Sequence, residues 1–87
     1  MDPPGAIAQL DRQLVDEAIE AYVDWREECA AVWDAFERWE NTPAVDAAAA
    51  FSAYGAALDR EESAARAYAE RLGRMAASKG SERPSAA

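Results

Sequence analysis

The residues best suited to catalysis or metal binding are nearly missing from this chain. Histidine is absent from its 87 residues, and Cys29 is the single thiol. The commonest general base and the commonest transition-metal ligand are therefore lacking. A reactive thiolate needs a base or a local positive field, whereas Cys29 lies on an apolar stripe between Trp25 and Trp33, with Arg26 as its nearest base. We interpret Cys29 as a small core residue and expect a non-enzymatic protein without cofactor or metal ion.

Carboxylates are concentrated in the first half of the chain. Residues 1–43 hold 11 acids and 3 bases, and residues 44–87 hold 6 of each. At helical spacing, six of these acids lie mainly away from the apolar stripe. They form a predicted acidic face, which comprises Asp16, Glu17, Glu20, Asp24, Glu27 and Glu28.

The acidic face has two interpretations. Such a run of charge is typical of a solvated, solubilising surface. The alternative is a surface that docks onto a basic protein or mimics a nucleic-acid backbone. Direct binding of nucleic acid is opposed by the charge itself.

Glu61 is the one charged residue on the apolar stripe of the second half. Counting equal distances from the mid-chain break places it opposite residues 22–26. Arg26 has no acid three or four residues away, so we predict a register-fixing contact between Arg26 and Glu61, within a hairpin or across a dimer. The alternative is that Glu61 extends to the rim of the stripe. Replacing Glu61 by Leu is expected to raise stability while permitting other oligomers.

Two long segments without proline must position these side chains. Their apolar residues recur every three or four positions, which predicts helices at about 6–40 and 43–77. Between them, Asn41 tolerates a left-handed helix end, Thr42 is a good N-cap and Pro43 suits a first helical position. A connection this short predicts an antiparallel hairpin.

Outside this single domain, residues 1–5 are expected to form a leader and residues 78–87 a disordered tail. The tail is polar and rich in helix breakers, a composition that does not support a packed structure.

The apolar arc of the first helix is wider than one partner helix can cover. All three Trp residues lie on this helix, and leaving them in water is costly. We therefore predict an all-α hairpin that dimerises into a four-helix bundle, with a hetero-complex as the alternative. The predicted interface comprises Leu14, Ile19, Tyr22, Trp25, Val32, Trp33, Phe36, Trp39, Phe51, Tyr54, Leu58, Tyr68 and Leu72.

These features predict a helical assembly or adaptor protein that acts through protein–protein contacts, with an acidic face available to a basic partner. The alternative is an acidic inhibitor, similar to an antitoxin, that blocks a basic or nucleic-acid-binding partner. The sequence shows neither a signal-peptide pattern nor an apolar stretch long enough for a bilayer. We expect a cytoplasmic protein without membrane contact, and secretion without a cleaved signal peptide is the alternative.

The chain's length, acidity and mid-chain turn resemble the small helical-hairpin substrates of actinobacterial type VII secretion. That family carries Trp-x-Gly at the turn and an export signal in which an acid follows Tyr by four residues. Here Trp39 is followed by Asn41 in place of the Gly, and Leu58 follows Tyr54 at that distance. The resemblance implies a second alternative, a small secreted helical-hairpin effector.

Overall fold

The protein is an antiparallel pair of long helices. The computed structural model describes the backbone of residues 4–81 and the side chains of residues 11–78. Helix α1 spans Pro4–Asn41, a 3-10 helix spans Ala44–Asp46, and helix α2 spans Ala47–Ser81. The two helices pack against each other along their length. The predicted all-α hairpin is therefore confirmed, and its dimerisation into a bundle stays a prediction.

Helix α1 is slightly longer than the predicted 6–40, whereas α2 has the predicted length but begins and ends four residues later than the predicted 43–77. Helix α1 begins at Pro4, a residue well suited to the first turn because its missing N–H would be unpaired there. Helix α2 continues to Ser81, and no proline interrupts the chain before Pro84. The remainder of the predicted leader and tail, at 1–3 and 82–87, lies outside the described residues.

At the turn, Asn41 and Thr42 have roles that differ from the predicted ones. No non-Gly residue in the described chain has a positive φ, so Asn41 is not left-handed. Its side-chain amide donates to the Glu37 carbonyl at 2.8 Å, and the Thr42 hydroxyl donates to the Arg38 carbonyl. Thr42 thus closes α1 rather than capping α2, and Pro43 precedes a 3-10 turn without a side-chain cap. Both polar side chains bond carbonyls near the C-terminal end of α1, and the Arg38 carbonyl is one of the last four, which have no partner within the helix.

The interior of the hairpin is narrow. Among the described residues, the buried apolar side chains are those of Ala18, Ala21 and Ala57. Half-buried aromatic side chains flank them in two clusters. Near the middle of the rod, Trp25 stacks on Tyr68 with ring centroids 5.8 Å apart. Near the turn, Trp39 stacks on Tyr54, also at 5.8 Å, so aromatic packing holds the two helices together from the middle of the rod to the turn.

The molecule is a flat rod, 68 × 28 × 12 Å, with a radius of gyration of 19.8 Å. A compact chain of this length has a radius of gyration of about 12 Å. Its accessible surface is 6819 Å², against about 5,000 Å² for a compact monomer of this mass. Domains normally bury apolar surface between two packed layers, and this hairpin supplies a single layer.

Candidate functional site

One broad side of the hairpin exposes large apolar side chains from both helices. Trp33 is 67% exposed, Ile19 56% and Phe51 55%. Spacings of three, four or seven residues place such side chains on one side of each helix. We call this surface the apolar face, and its members are Val15, Ile19, Tyr22, Trp33, Phe51, Leu58 and Leu72.

Three members of the apolar face, Tyr22, Trp33 and Phe51, pack against half-buried rings. Tyr22 packs on Tyr68 across the helices, with centroids 5.5 Å apart, and Phe51 packs on Trp39 at 5.2 Å. Trp33 lies edge-on to its neighbour on α1, Phe36, at 6.2 Å. Large apolar side chains that are exposed together on one side of a protein indicate an interaction site.

The predicted interface divides into two groups. The half-buried group forms the seam between α1 and α2 and comprises Leu14, Trp25, Val32, Phe36, Trp39, Tyr54 and Tyr68. The exposed group belongs to the apolar face and comprises Ile19, Tyr22, Trp33, Phe51, Leu58 and Leu72. The predicted set omits Val15, which is 39% exposed. Val15 lies seven residues before Tyr22, and this spacing indicates that both side chains lie on the same side of α1.

Glu61 lies in the seam between the two aromatic clusters. The indole Nε1 of Trp25 donates to Glu61 Oε1 at 2.8 Å, and Cys29 Sγ is 4.0 Å from the same oxygen. Arg26 is one residue beyond Trp25, about 100° further round α1. In the described part of the chain its exposed side chain forms no ion pair with Glu61. The predicted contact is therefore absent within the hairpin, because the indole occupies its place, and the intermolecular form stays a prediction.

The side of the hairpin opposite the apolar face carries ion pairs between the helices. Glu17 Oε2 is 3.5 Å from Arg71 Nη1 and 3.9 Å from Arg74 Nη1, and Glu28 Oε2 is 3.3 Å from Arg60 Nε. These side chains are about one-third to three-fifths exposed, so each pair contributes less than about 1 kcal/mol. We call this side the charged edge.

The charged edge uses two of the six acids of the predicted acidic face. The remaining four are exposed and form no ion pair within the described part of the chain: Asp16, Glu20, Asp24 and Glu27. Helical periodicity turns them away from the apolar face. Among residues 11–78, no group of three or more Asp, Glu or Cys side chains is arranged to hold a metal ion.

The described helices contain no apolar stretch long enough to cross a membrane. No family model, curated protein or solved structure matches this chain.

Proposed function

We propose that this chain is a non-catalytic assembly module that pairs with a second copy of itself through the apolar face. The product is a four-helix bundle in which the apolar faces of two hairpins form the core. The acidic faces lie on the outside of this bundle, where they are available to a basic partner. We assign the protein to the cytoplasm, which suits its unpaired Cys29.

The observation that carries this proposal is the exposed apolar surface of a single helical layer. The chain has roughly 1,800 Å² more accessible surface than a compact monomer of its mass. Standard interfaces bury about 800 Å² on each partner, and obligate homodimers bury about 1,000–2,500 Å². A second copy covers an area of this size without any third component.

The distribution of charge also favours a second copy. The chain carries a net charge of −8, which opposes association when the charges of two copies meet. The four exposed acids of the acidic face, Asp16, Glu20, Asp24 and Glu27, point away from the apolar face, so face-to-face packing keeps them apart. Four-helix bundles are built from antiparallel hairpins in this way, with apolar faces inward.

Removing the most exposed aromatic side chain tests the proposal. Trp33→Ser is expected to raise the dimer dissociation constant at least about tenfold, because a large apolar contact is lost from each copy. Val45→Ser is the matched control: Val45 is 87% exposed at the turn, outside the apolar face. Sedimentation velocity over a dilution series measures both variants. Equal dissociation constants for Trp33→Ser and wild type would contradict the proposed interface.

A second role, docking of the acidic face on a basic partner, is favoured by the four exposed acids without ion pairs. Replacing Glu20, Asp24 and Glu27 together by Lys is expected to abolish capture of such a partner from the native host. The apolar face is untouched, so the variant is expected to stay helical and dimeric. Capture by immobilised protein, compared between wild type and triple variant, is the measurement. Undiminished capture of the same partner would rule out the acidic face as the docking surface.

A further inference from the structure

We propose that the two hairpins of the dimer lie with their turns at the same end, so that α1 of each copy packs beside α2 of the other. This inference rests on the proposed homodimer and adds its orientation. Face-to-face packing of two antiparallel hairpins allows two arrangements. Turns at the same end place α1 beside the second copy's α2, whereas turns at opposite ends place α1 beside the second copy's α1.

The contacts within one hairpin define which residues lie level with each other. In three of the five ring contacts between α1 and α2 in the described part of the chain, the paired residue numbers add up to 90: Tyr22–Tyr68, Phe36–Tyr54 and Trp39–Phe51. In the two stacked pairs, Trp25–Tyr68 and Trp39–Tyr54, they add up to 93. A two-fold axis along the rod preserves these levels between copies. With turns at one end, each α1 residue therefore meets the second copy's α2 within about two residues of its intrachain level, or about 3 Å.

This relation aligns two rows of residues along the borders of the apolar face. On α1, Ile19, Arg26 and Trp33 are spaced by seven residues and are exposed. On α2, a second row with the same spacing lies three or four residues from members of the apolar face and comprises Gly55, Glu62 and Ala69. Across the two copies, Ile19 meets Ala69, Arg26 meets Glu62 and Trp33 meets Gly55.

The outer pairs of these rows match a large side chain with a small one. Trp33 and Ile19 are among the most exposed apolar side chains of α1, and Gly55 and Ala69 leave space for them. Gly within a helix is destabilising, and the hairpin itself does not require it at position 55. A Cβ built on Gly55 would meet no atom within 4 Å. Close approach of Trp33 from the second copy supplies a reason for this glycine.

The central pair matches opposite charges. Arg26 has no ion-pair partner within the described hairpin. Glu62 Oε1 accepts a hydrogen bond from Arg66 at 2.6 Å. In the proposed dimer, the second carboxylate oxygen of Glu62 pairs with Arg26 of the other copy. Complementary charges on an otherwise apolar interface fix its register and orientation.

The opposite orientation loses each of these matches. The middle of the rod lies close to Arg26, because the midpoint of α2 is level with it. Turns at opposite ends therefore bring Arg26 near Arg26 and Glu62 near Glu62. This orientation also places Trp33 of one copy against Ile19 of the other, so that two large side chains collide. It places Gly55 against Ala69, so that two small residues face each other across a gap. Finally, it sets the two acidic α1 helices side by side, although residues 1–43 carry the whole net charge.

A distance between the two turns tests the orientation directly. The full chain carries Cys29→Ser and Val45→Cys, with a nitroxide spin label on the new cysteine, and pulsed dipolar spectroscopy measures the distance between copies. Turns at the same end predict a distance below about 30 Å, given helix spacings of about 10 Å. A distance of about 50 Å, the length of the helices, overturns the orientation and leaves the homodimer standing. Absence of any intermolecular distance overturns the homodimer as well.

A charge exchange tests the central pair. Arg26→Glu and Glu62→Arg are each expected to raise the dimer dissociation constant about tenfold, and the double variant is expected to restore it. Arg38→Glu is the control, since it makes the same change of charge at an exposed position away from the apolar face. Circular dichroism, at a concentration high enough for each variant to be dimeric, checks that the variant folds into helices. An Arg26→Glu dimer as tight as the Arg38→Glu dimer, or a double variant as weak as the single ones, overturns the pair.

Discussion

Glu61 shows how one side chain can satisfy a polar requirement inside an aromatic seam. Its carboxylate accepts the Trp25 indole N–H at 2.8 Å and lies close to the Cys29 thiol. A hydrogen bond to a charged acceptor contributes about 1.5–3 kcal/mol. Removing one partner leaves the other half buried and without its bond, so the contact selects the register in which Trp25 and Glu61 face each other.

This hydrogen bond reverses what the sequence suggests for Glu61→Leu. The lost acceptor costs more than the added apolar contact provides, so the free energy of unfolding is expected to fall by about 1 kcal/mol. Glu61→Gln keeps an acceptor oxygen for Trp25 and is expected to lose less. Urea denaturation followed by circular dichroism, at one fixed protein concentration, gives both values. A Leu variant more stable than wild type would contradict this role for the carboxylate.

The position of Glu61 was predictable from the sequence, and its partner was not. The heptad spacing places residue 61 in the seam, and equal counting from the turn finds the facing segment at 22–26. Within that segment, Trp25 and Arg26 differ by about 100° round the helix. Charge complementarity favours Arg26, but Trp25 lies on the apolar stripe itself and its indole N–H bonds the carboxylate. The prediction gives charge more weight than position on the stripe.

At the scale of helices and turn, the sequence predicts that there are two helices and that they run antiparallel. It does not predict which hydrogen bonds the polar residues of the turn form. Periodicity and the break at Asn41–Pro43 predict two antiparallel helices, which the structure contains. The roles of Asn41 and Thr42 differ because their side chains reach back to carbonyls of α1 instead of forward to α2. Polar side chains at a turn can bond in either direction, and the sequence does not distinguish between them.

For the ion pairs between the helices, too, the sequence indicates the region of contact but not the residue that makes it. The sequence indicates that the basic end of α2 lies beside the acidic start of α1, with Asp11, Asp16 and Glu20 as plausible partners. In the structure Glu17 takes this role, because it lies nearer the seam and reaches Arg71 and Arg74.

The charged edge is expected to tie the helices weakly and in a salt-dependent way. Glu17→Gln should lower the free energy of unfolding by about 0.5 kcal/mol at low ionic strength, and by less in high salt. Asp16→Asn removes the same charge from the adjacent exposed position, which has no ion pair in the described chain, and serves as the control. Thermal denaturation at two salt concentrations makes the comparison. Equal effects of the two substitutions would show that the Glu17 pairs contribute nothing specific.

At the scale of the whole molecule, the hairpin is one layer of helices, and a second layer is needed to cover its apolar face. The sequence indicates that the apolar arc of α1 exceeds what α2 can cover. It does not separate the seam from the apolar face, because that division depends on which part of the arc α2 occupies. The structure makes the division: rings such as Trp25 and Tyr54 lie in the seam, and Trp33 and Ile19 lie on the outside.

Because large apolar side chains lie outside the seam, the stability of the folded chain is expected to depend on association. In the single chain, the described buried apolar side chains are three alanines, which provide little of the burial that stabilises a domain of this size. Pairing of two apolar faces adds large side chains to the core. Folding and assembly are therefore expected to be coupled, with stability rising as protein concentration rises.

Sedimentation equilibrium of the wild-type chain at micromolar concentration tests the central claim most directly, with helix content measured on the same samples. The account predicts a species of twice the 9.4 kDa chain mass, and dilution is expected to reduce mass and helix content together. A fully helical, stable monomer of 9.4 kDa across the whole dilution series would contradict it.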